Sequence, residues 1–222
     1  MEPYSYVGNN PIMFTDPTGM IKWPILEKFK GFGRSHLNNY GERRKRKDGT
    51  YRTHNGLDIN HTGGGNTDLG APILSTHTGK VTRIAKIEDG DKNAGGTRVV
   101  ITSEGGVVST SYMHLDTIDP DLKLGSEVKE GQQIGTMGGS GFGEKLKYTS
   151  HLHYEIRVNG DLIDPVDSNG DLIDPQLIIN KNTNQDTNNN NLNDNNNSER
   201  WLLENSKAYS PDYVKKRLEE LK

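Results

Sequence analysis

The chain has 222 residues, of which 30% are hydrophobic and 26 are glycine, and its formal net charge is −3 at pH 7. This length accommodates one domain of ordinary size with additional segments, while the absence of cysteine excludes disulfides and thiolate metal sites. The acidic balance disfavours nucleic acid as a partner, no apolar run is long enough to span a membrane, and no signal peptide is visible.

Two turn-rich strings occupy residues 1–20. They read Tyr-Ser-Tyr-Val-Gly-Asn-Asn-Pro at Tyr4–Pro11 and Asp-Pro-Thr-Gly at Asp16–Gly19. Together they resemble the closing motif of the RHS-repeat core, the cage-like shell of polymorphic toxins. The resemblance implies that residues 1–20 are the end of such a core and that a toxin domain follows.

We interpret residues 21–50 as the leader of the domain that follows. The basic cluster Arg43–Lys47 raises the alternative of a nucleic-acid patch. The acidic balance of the whole chain and the turn signal at Asp48-Gly49 favour a solvated loop instead.

Short apolar runs separated by glycine-rich turns recur through residues 51–178, which we expect to form the globular domain. The runs are Lys80–Ala85, Thr97–Ile101, Val107–Tyr112, Gln133–Met137 and His151–Val158. No amphipathic helix of any length interrupts them. The pattern predicts a mainly β fold, a small antiparallel sheet or sandwich.

The last of these runs alternates in polarity. Residues two apart in a strand project to the same side, so His151 and His153 would share one face with Glu155 and Arg157. The two latter residues are expected to support the histidines or to lie at the surface rather than to bind a metal.

About a hundred residues earlier, His54 and Asp58 form an H-x-x-x-D element. Asn55-Gly56 argues against a helix there, so we expect both side chains on the sheet. Two imidazoles and a carboxylate can supply three ligands for a zinc ion. A third imidazole would then remain available for catalysis.

The C-terminal segments carry no visible chemistry. The string at Asn159–Pro165 returns at Asn169–Pro175, which indicates a tandem duplication. Residues 179–198 form an Asn-rich tract that is predicted to be a disordered linker. A cap signal at Ser198 and an apolar stripe further on predict a short helical tail at 199–222.

Six motifs in order closely resemble the lysostaphin/LytM-type zinc peptidases. They are Thr53–Ile59, Leu69–Ile73, Thr78–Val81, Tyr112–Leu115, Val128–Gly135 and Ser150–Ile156. The resemblance covers about residues 40–165. It implies a small antiparallel β domain of the duplicated-hybrid type with a groove, and cleavage of peptide cross-links in bacterial peptidoglycan.

The resemblance also implies roles for individual residues. His54, Asp58 and His153 would bind one Zn²⁺, while His151 would be a catalytic histidine and His114 its partner. Three protein ligands leave one position for water, as catalytic zinc sites require. The sequence has no H-E-x-x-H motif, so a glutamate base is unsupported. The remaining histidines are interpreted as surface or hydrogen-bonding residues: His36, His61 and His77.

Three connections are longer than the family's usual ones and would rim the groove, which leaves substrate preference open. They are residues 60–68, 89–96 and 142–148.

The sequence therefore predicts a zinc metalloendopeptidase that acts on peptidoglycan as the toxin domain of an RHS-type effector. Such an effector would work in the periplasm or cell wall of a target bacterium, and an immunity protein would be its partner. The alternative is a non-catalytic LytM-like module that binds cell wall or activates an amidase. Such modules typically lack the metal ligands, which this chain retains.

Overall fold

The computed structural model describes residues 23–25, 40–46, 48–60, 63–166 and 172–186. Its twelve strands are β1 (Arg43–Lys45), β2 (Tyr51–Thr53), β3 (Leu57–Ile59), β4 (Pro72–Leu74), β5 (Gly79–Ala85), β6 (Arg98–Thr102), β7 (Val108–Met113), β8 (Leu115–Ile118), β9 (Glu127–Val128), β10 (Gln133–Met137), β11 (Leu152–Val158) and β12 (Asp161–Ile163). Within these described residues, helical structure is confined to two 3-10 turns, Ile87–Asp89 and Glu104–Gly106, and to one helix, α1 (Pro175–Asp186). The predicted mainly β class is confirmed.

All ladders between the named strands are antiparallel. The main sheet has the order β12-β11-β7-β6-β5-β9, and β3 also pairs with β11. A three-stranded sheet, β4-β10-β8, and a ribbon, β1-β2, complete the fold. Each apolar run predicted to be a strand overlaps one, because β-branched residues that are bounded by glycine turns favour extended backbone.

One edge of β11 is filled by two short strands in tandem. β3 lies opposite Leu152–Tyr154 and β12 lies opposite Ile156–Val158, while β7 pairs along the other edge from His153 to Val158. β11 is thus the central strand on which the other site-bearing elements assemble.

The alternation predicted for β11 is observed. Leu152, Tyr154 and Ile156 are almost completely buried in the apolar core, and burial of a large apolar side chain contributes about 1.5–3 kcal/mol each. His153 and Glu155 project from the opposite face. The core therefore fixes the direction in which the histidine points.

Residues 21–50 contribute more than the leader that the sequence predicts. Ile25 is buried and forms a bridge with Ile73, and the Leu74 N–H donates to the Pro24 carbonyl at 2.8 Å. The first three residues of the basic cluster, Arg43–Lys45, form strand β1 rather than the loop that the sequence predicts. Backbone pairing orders both stretches: Ile25 pairs with the distant Ile73, and β1 pairs with the neighbouring strand β2.

Helix α1 continues through residue 186, eight residues into the segment 179–198 that was expected to be a disordered linker. The Asp174 carboxylate accepts the N–H groups of Gln176 and Leu177 at 2.8 and 3.3 Å, and Pro175 occupies the first helical position. Ile178 is buried against the core. Capping and this contact outweigh the low helix propensity of asparagine.

Several expectations fall on residues outside the described ranges: the RHS-core segment 1–20, the tail 199–222, His36 and His61. Within the described ranges, no helix combines the length and apolarity that crossing a membrane requires.

Candidate metal centre

Two neighbouring strands and one connection position the predicted metal ligands. Asp58 on β3 lies directly opposite His153 on β11, so the pairing register holds these two side chains together. His54 lies in the connection between β2 and β3 rather than in a strand, in contrast to the expectation of a sheet position. Its backbone is nevertheless tied down, since its N–H donates to the Glu42 carbonyl and its carbonyl accepts the Gly41 N–H, both at 2.8 Å.

Three side-chain atoms form a nearly equilateral triangle. The distance from Asp58 Oδ1 is 3.0 Å to His54 Nε2 and 2.9 Å to His153 Nδ1, and the two nitrogens lie 2.9 Å apart. Ligand atoms around a tetrahedral zinc ion with bonds of about 2.0–2.1 Å lie about 3.3 Å apart. The donor set and its spacing therefore fit such an ion. Within the described ranges, no other group of three or more histidine and carboxylate side chains could hold a metal.

Gly56 permits this arrangement because its missing side chain leaves room for the imidazole. A Cβ atom there would lie 2.6 Å from the Tyr154 carbonyl oxygen and 2.7 Å from His153 Nε2. The glycine of the H-N-G-L-D string is thus required by close packing against β11 rather than by turn geometry.

The electrostatics of the triangle favour an ionised carboxylate. Burial raises the pKa of Asp58, but hydrogen bonds from His153 and His54 outweigh it and hold the pKa well below its usual value. Burial lowers the pKa of His153, but the contacts with Asp58 and Glu155 raise it by more than burial lowers it, so the net shift is upward. The carboxylate is thus charged at neutral pH, as a metal ligand must be.

The two predicted catalytic histidines lie side by side next to the triangle. The ring centroids of His114 and His151 are 4.6 Å apart, and His151 Nε2 lies 3.8 Å from Asp58 Oδ1. Each Nδ1 is 2.7 Å from a backbone carbonyl, that of Ser140 for His114 and that of Thr149 for His151. Because a carbonyl only accepts, each Nδ1 carries a proton, so Nε2 is the ring atom of each histidine that can accept one.

His114 is held in an unusual backbone conformation at the β7–β8 junction. Its φ of 62° lies in the left-handed region, where residues other than glycine are uncommon. Its N–H donates to the Gly95 carbonyl at 3.0 Å. Burial, followed by the nearby charge of His151, lowers the pKa of His114 to about 3, so the ring is neutral at physiological pH.

Ser140 holds the segment around His114 in place through hydrogen bonds, and the sequence motifs do not identify it. Its hydroxyl accepts the Thr97 N–H at 2.9 Å and donates to the Leu115 carbonyl at 2.8 Å. Its own backbone carbonyl accepts a hydrogen bond from His114 Nδ1. The only sequence signal was a glycine-rich stretch, Gly138–Gly141, which also suits an ordinary turn.

Two charged residues contact the ligands from outside the triangle. Glu155 Oε1 lies 3.3 Å from His153 Nε2, and it occupies the face that the alternation of β11 predicts. Arg44 Nη2 lies 2.9 Å from Asp58 Oδ2, a contact that the interpretation of its segment as a solvated loop missed. The Asp48-Gly49 pair, a hairpin signal between β1 and β2, could have revealed that ribbon.

The three long connections come together at the site. The Asn66 side chain accepts the Ser150 N–H at 2.8 Å, and the Asn93 carbonyl accepts the Phe142 N–H at 2.9 Å. The Tyr148 ring centroid lies 4.8 Å from that of His114. The expectation that these loops border the site therefore agrees with their contacts.

His77 lies away from the site. It is completely buried, and its ring nitrogens contact the Thr78 carbonyl at 2.9 Å and the Thr110 hydroxyl at 3.0 Å. Of the two interpretations left open for it, the structure selects the hydrogen-bonding one.

The fold and the site together define an antiparallel β domain with a candidate single-metal centre of two histidines and one aspartate, flanked by two further histidines. The model of peptidase family M23 matches residues 52–165, and the chain belongs to this family. The predicted resemblance to lysostaphin/LytM-type peptidases is confirmed at this level, whereas residues 1–20 lie outside the match.

Individual relatives agree with this assignment. An uncharacterised metalloprotease of Haemophilus influenzae is 30% identical over 146 residues, which are 62% of this chain and 27% of the relative. The peptidoglycan DD-endopeptidase ShyB of Vibrio cholerae is 36% identical over 112 residues, 50% of this chain and 22% of the relative. The chain thus spans about a quarter of the length of these curated relatives.

A solved structure shares the fold. That of the SpoIIQ–SpoIIIAH pore-forming complex is 20% identical and has a TM-score of 0.51, with coverage of 73% of this chain and 96% of that chain.

Proposed function

We propose that this chain is a zinc-dependent endopeptidase that hydrolyses peptide cross-links of bacterial peptidoglycan. The observation that carries the proposal is the triangle of His54, Asp58 and His153 with two histidines beside it whose Nε2 atoms can each accept a proton. Membership of peptidase family M23 and the similarity to a peptidoglycan DD-endopeptidase support it.

The triangle supplies the three protein ligands of a catalytic zinc site. Zinc bound there would lower the pKa of a water molecule towards about 7 and polarise the scissile carbonyl. Asp58 contributes the negative charge of the ligand set, and His153 is oriented by Glu155.

His114 and His151 would carry out the proton transfers. Since each Nδ1 donates to a fixed carbonyl, each Nε2 can accept a proton from the attacking water and return it to the leaving amine. A protonated ring would also donate to the oxyanion that develops on the substrate. The low pKa of His114 makes this ring a poor proton store, and we assign the proton transfer to His151, whose Nε2 lies 3.8 Å from Asp58 Oδ1.

The biological setting that we propose is attack on another cell. The strings at Tyr4–Pro11 and Asp16–Gly19 support an RHS-type effector. The substrate then places the action in the periplasm or cell wall of a target bacterium, and a cognate immunity protein would be found in that compartment. Expression tests this: export to the periplasm should lyse cells, and the same chain retained in the cytoplasm should not.

The competing function is a non-catalytic module that binds cell wall or activates an amidase. Such a module needs no metal and no proton carriers, whereas the described site retains both sets of side chains. Metal content and cleavage of purified peptidoglycan separate the two.

The deciding experiment measures zinc per chain and release of muropeptides from purified peptidoglycan, with mass analysis of the fragments to identify the bond. Wild-type protein should bind one zinc ion and cleave. His151→Ala should keep zinc and lose cleavage, and Asp58→Ala should lose both. Lys80→Ala, an exposed position on β5, serves as the unaffected control. Cleavage by either site variant, or a wild-type protein that binds zinc but cleaves nothing, would contradict the proposal.

A further inference from the structure

Arg44 connects the basic segment to the metal centre. Its Nη2 atom lies 2.9 Å from Asp58 Oδ2, and its Nε atom lies 3.0 Å from Glu42 Oε2. The Arg44 side chain is 30% exposed and that of Asp58 is 13% exposed. The contact is therefore partly shielded from water, unlike an ordinary surface ion pair.

The contact divides the two oxygens of Asp58 between different tasks. Oδ1 faces His54 and His153 at 3.0 and 2.9 Å, while Oδ2 is engaged by the guanidinium. A carboxylate that is held in this way presents one oxygen to the triangle. A planar guanidinium held at both ends is well suited to fix that orientation, because its N–H groups have set directions.

The same ribbon also holds a second ligand. The backbone of His54 pairs with Gly41 and Glu42 through two hydrogen bonds of 2.8 Å, immediately before Arg44 in sequence. Residues 41–44 therefore contact two of the three ligand-bearing residues. The family match begins only at residue 52, so this support comes from a part of the chain outside the matched range.

We propose that Arg44 is a positioning residue for the metal site: it holds Asp58 so that only Oδ1 faces the ion, and thereby raises zinc affinity. This inference rests on the zinc site proposed above. Arg44 thus links the basic cluster to the chemistry, whereas the neighbouring arginine makes a different contact. Arg43 stacks on the Tyr51 ring at 4.7 Å.

A purely electrostatic effect of Arg44 would have the opposite sign. A guanidinium close to a cation site repels the cation, so removal of the charge alone would tighten zinc binding. If positioning dominates, removal weakens it, since loss of a group that orients a ligand typically costs about 10–100-fold in metal affinity. The direction of the change therefore decides between the two effects.

The test compares four full-length proteins: wild type, Arg44→Gln, Arg44→Lys and the matched control Arg43→Gln. Each is stripped with a chelator, and its zinc affinity is measured by competition with a chromophoric chelator. We expect Arg44→Gln to bind zinc about 10–100-fold more weakly. Arg44→Lys should fall in between, because a single ammonium cannot span Asp58 and Glu42. Arg43→Gln should match wild type.

Cobalt substitution supplies a spectroscopic readout that a loss of stability would not reproduce. Four-coordinate Co²⁺ absorbs visible light more strongly than higher-coordinate Co²⁺, so a carboxylate that is freed to bind through both oxygens should reduce the absorption of Arg44→Gln. Thermal denaturation of the apo forms checks that the variants fold.

The outcomes separate this inference from the proposed function. Equal or tighter zinc binding by Arg44→Gln, with wild-type protein binding zinc normally, would overturn the role of Arg44 alone. An equal loss in Arg43→Gln would do the same, because the effect would then be one of general charge. A wild-type protein that takes up no zinc would overturn both.

Discussion

Replacement of Gly56 by alanine is expected to damage the metal site through simple overpacking. The new Cβ would lie 2.7 Å from His153 Nε2, whereas ordinary contacts begin at 3.4 Å, so the ring must move by about 0.7 Å, the difference between the two distances. Metal–ligand distances in a well-formed site are held to about 0.2 Å. A displacement of this size therefore removes His153 Nδ1 from its position in the triangle.

The neighbouring carbonyl of Tyr154 makes the strain hard to relieve. It would lie 2.6 Å from the same Cβ, and it belongs to β11, whose backbone is paired on both sides. We expect a loss of about 1–3 kcal/mol in unfolding free energy, or a melting temperature lower by about 3–10 °C. Zinc affinity should fall by about 10–100-fold.

A matched variant isolates the effect on the site. In Gly79→Ala the Cβ would lie 2.5 Å from the Thr102 carbonyl oxygen, an equal clash on β5, three strands away from β11. Both variants should melt earlier, but only Gly56→Ala should lose zinc affinity in chelator competition. If Gly56→Ala binds zinc like wild type while both melt earlier, the packing argument is refuted.

Two further predictions concern Glu155 and His77. Glu155→Gln should weaken zinc binding by about tenfold because the charged partner of His153 Nε2 is lost, whereas the same change at the exposed Glu127 on β9 should not; equal affinities in chelator competition would contradict this. Burial lowers the pKa of His77 below 6.5, so below about pH 6.5 the unfolded chain binds the extra proton and unfolding free energy falls by up to about 1.4 kcal/mol per pH unit. His77→Gln should show a shallower fall in urea denaturation between pH 7 and 5, and an identical slope would count against the assignment.

The strand pattern of the sequence predicted the part of the site that depends on local periodicity. In β11, alternation alone placed His153 and Glu155 on the face opposite the core, because the apolar face must be buried. Strands β5, β6, β7 and β10 were predicted from short apolar runs that are bounded by glycine-rich turns.

Pairing partners were harder to predict. Arg44 belongs to a run of charged residues that reads as solvated, and its role depends on the β1–β2 ribbon lying beside β3. His54 lies outside the strands, where two backbone hydrogen bonds to Gly41 and Glu42 hold it. Such contacts between distant segments are fixed by tertiary packing, which periodicity does not encode.

At the C-terminal end of the domain, helix α1 extends into a segment whose composition predicts disorder. An Asn-rich composition predicts disorder, but the Asp174-Pro175 cap starts a helix before that tract begins. The cap signal was present in the sequence as the end of the second repeat.

The tandem arrangement of β3 and β12 along one edge of β11 has a consequence for solubility. β3 has only three residues, and its Asp58 is drawn towards β11 by the contact with His153. The pairing of β3 with β11 covers backbone groups beside His153, and a displaced β3 would leave them as a free strand edge. Free strand edges of this kind promote edge-to-edge aggregation. The short strand that carries Asp58 thus also closes an edge of the sheet that could otherwise pair with another chain.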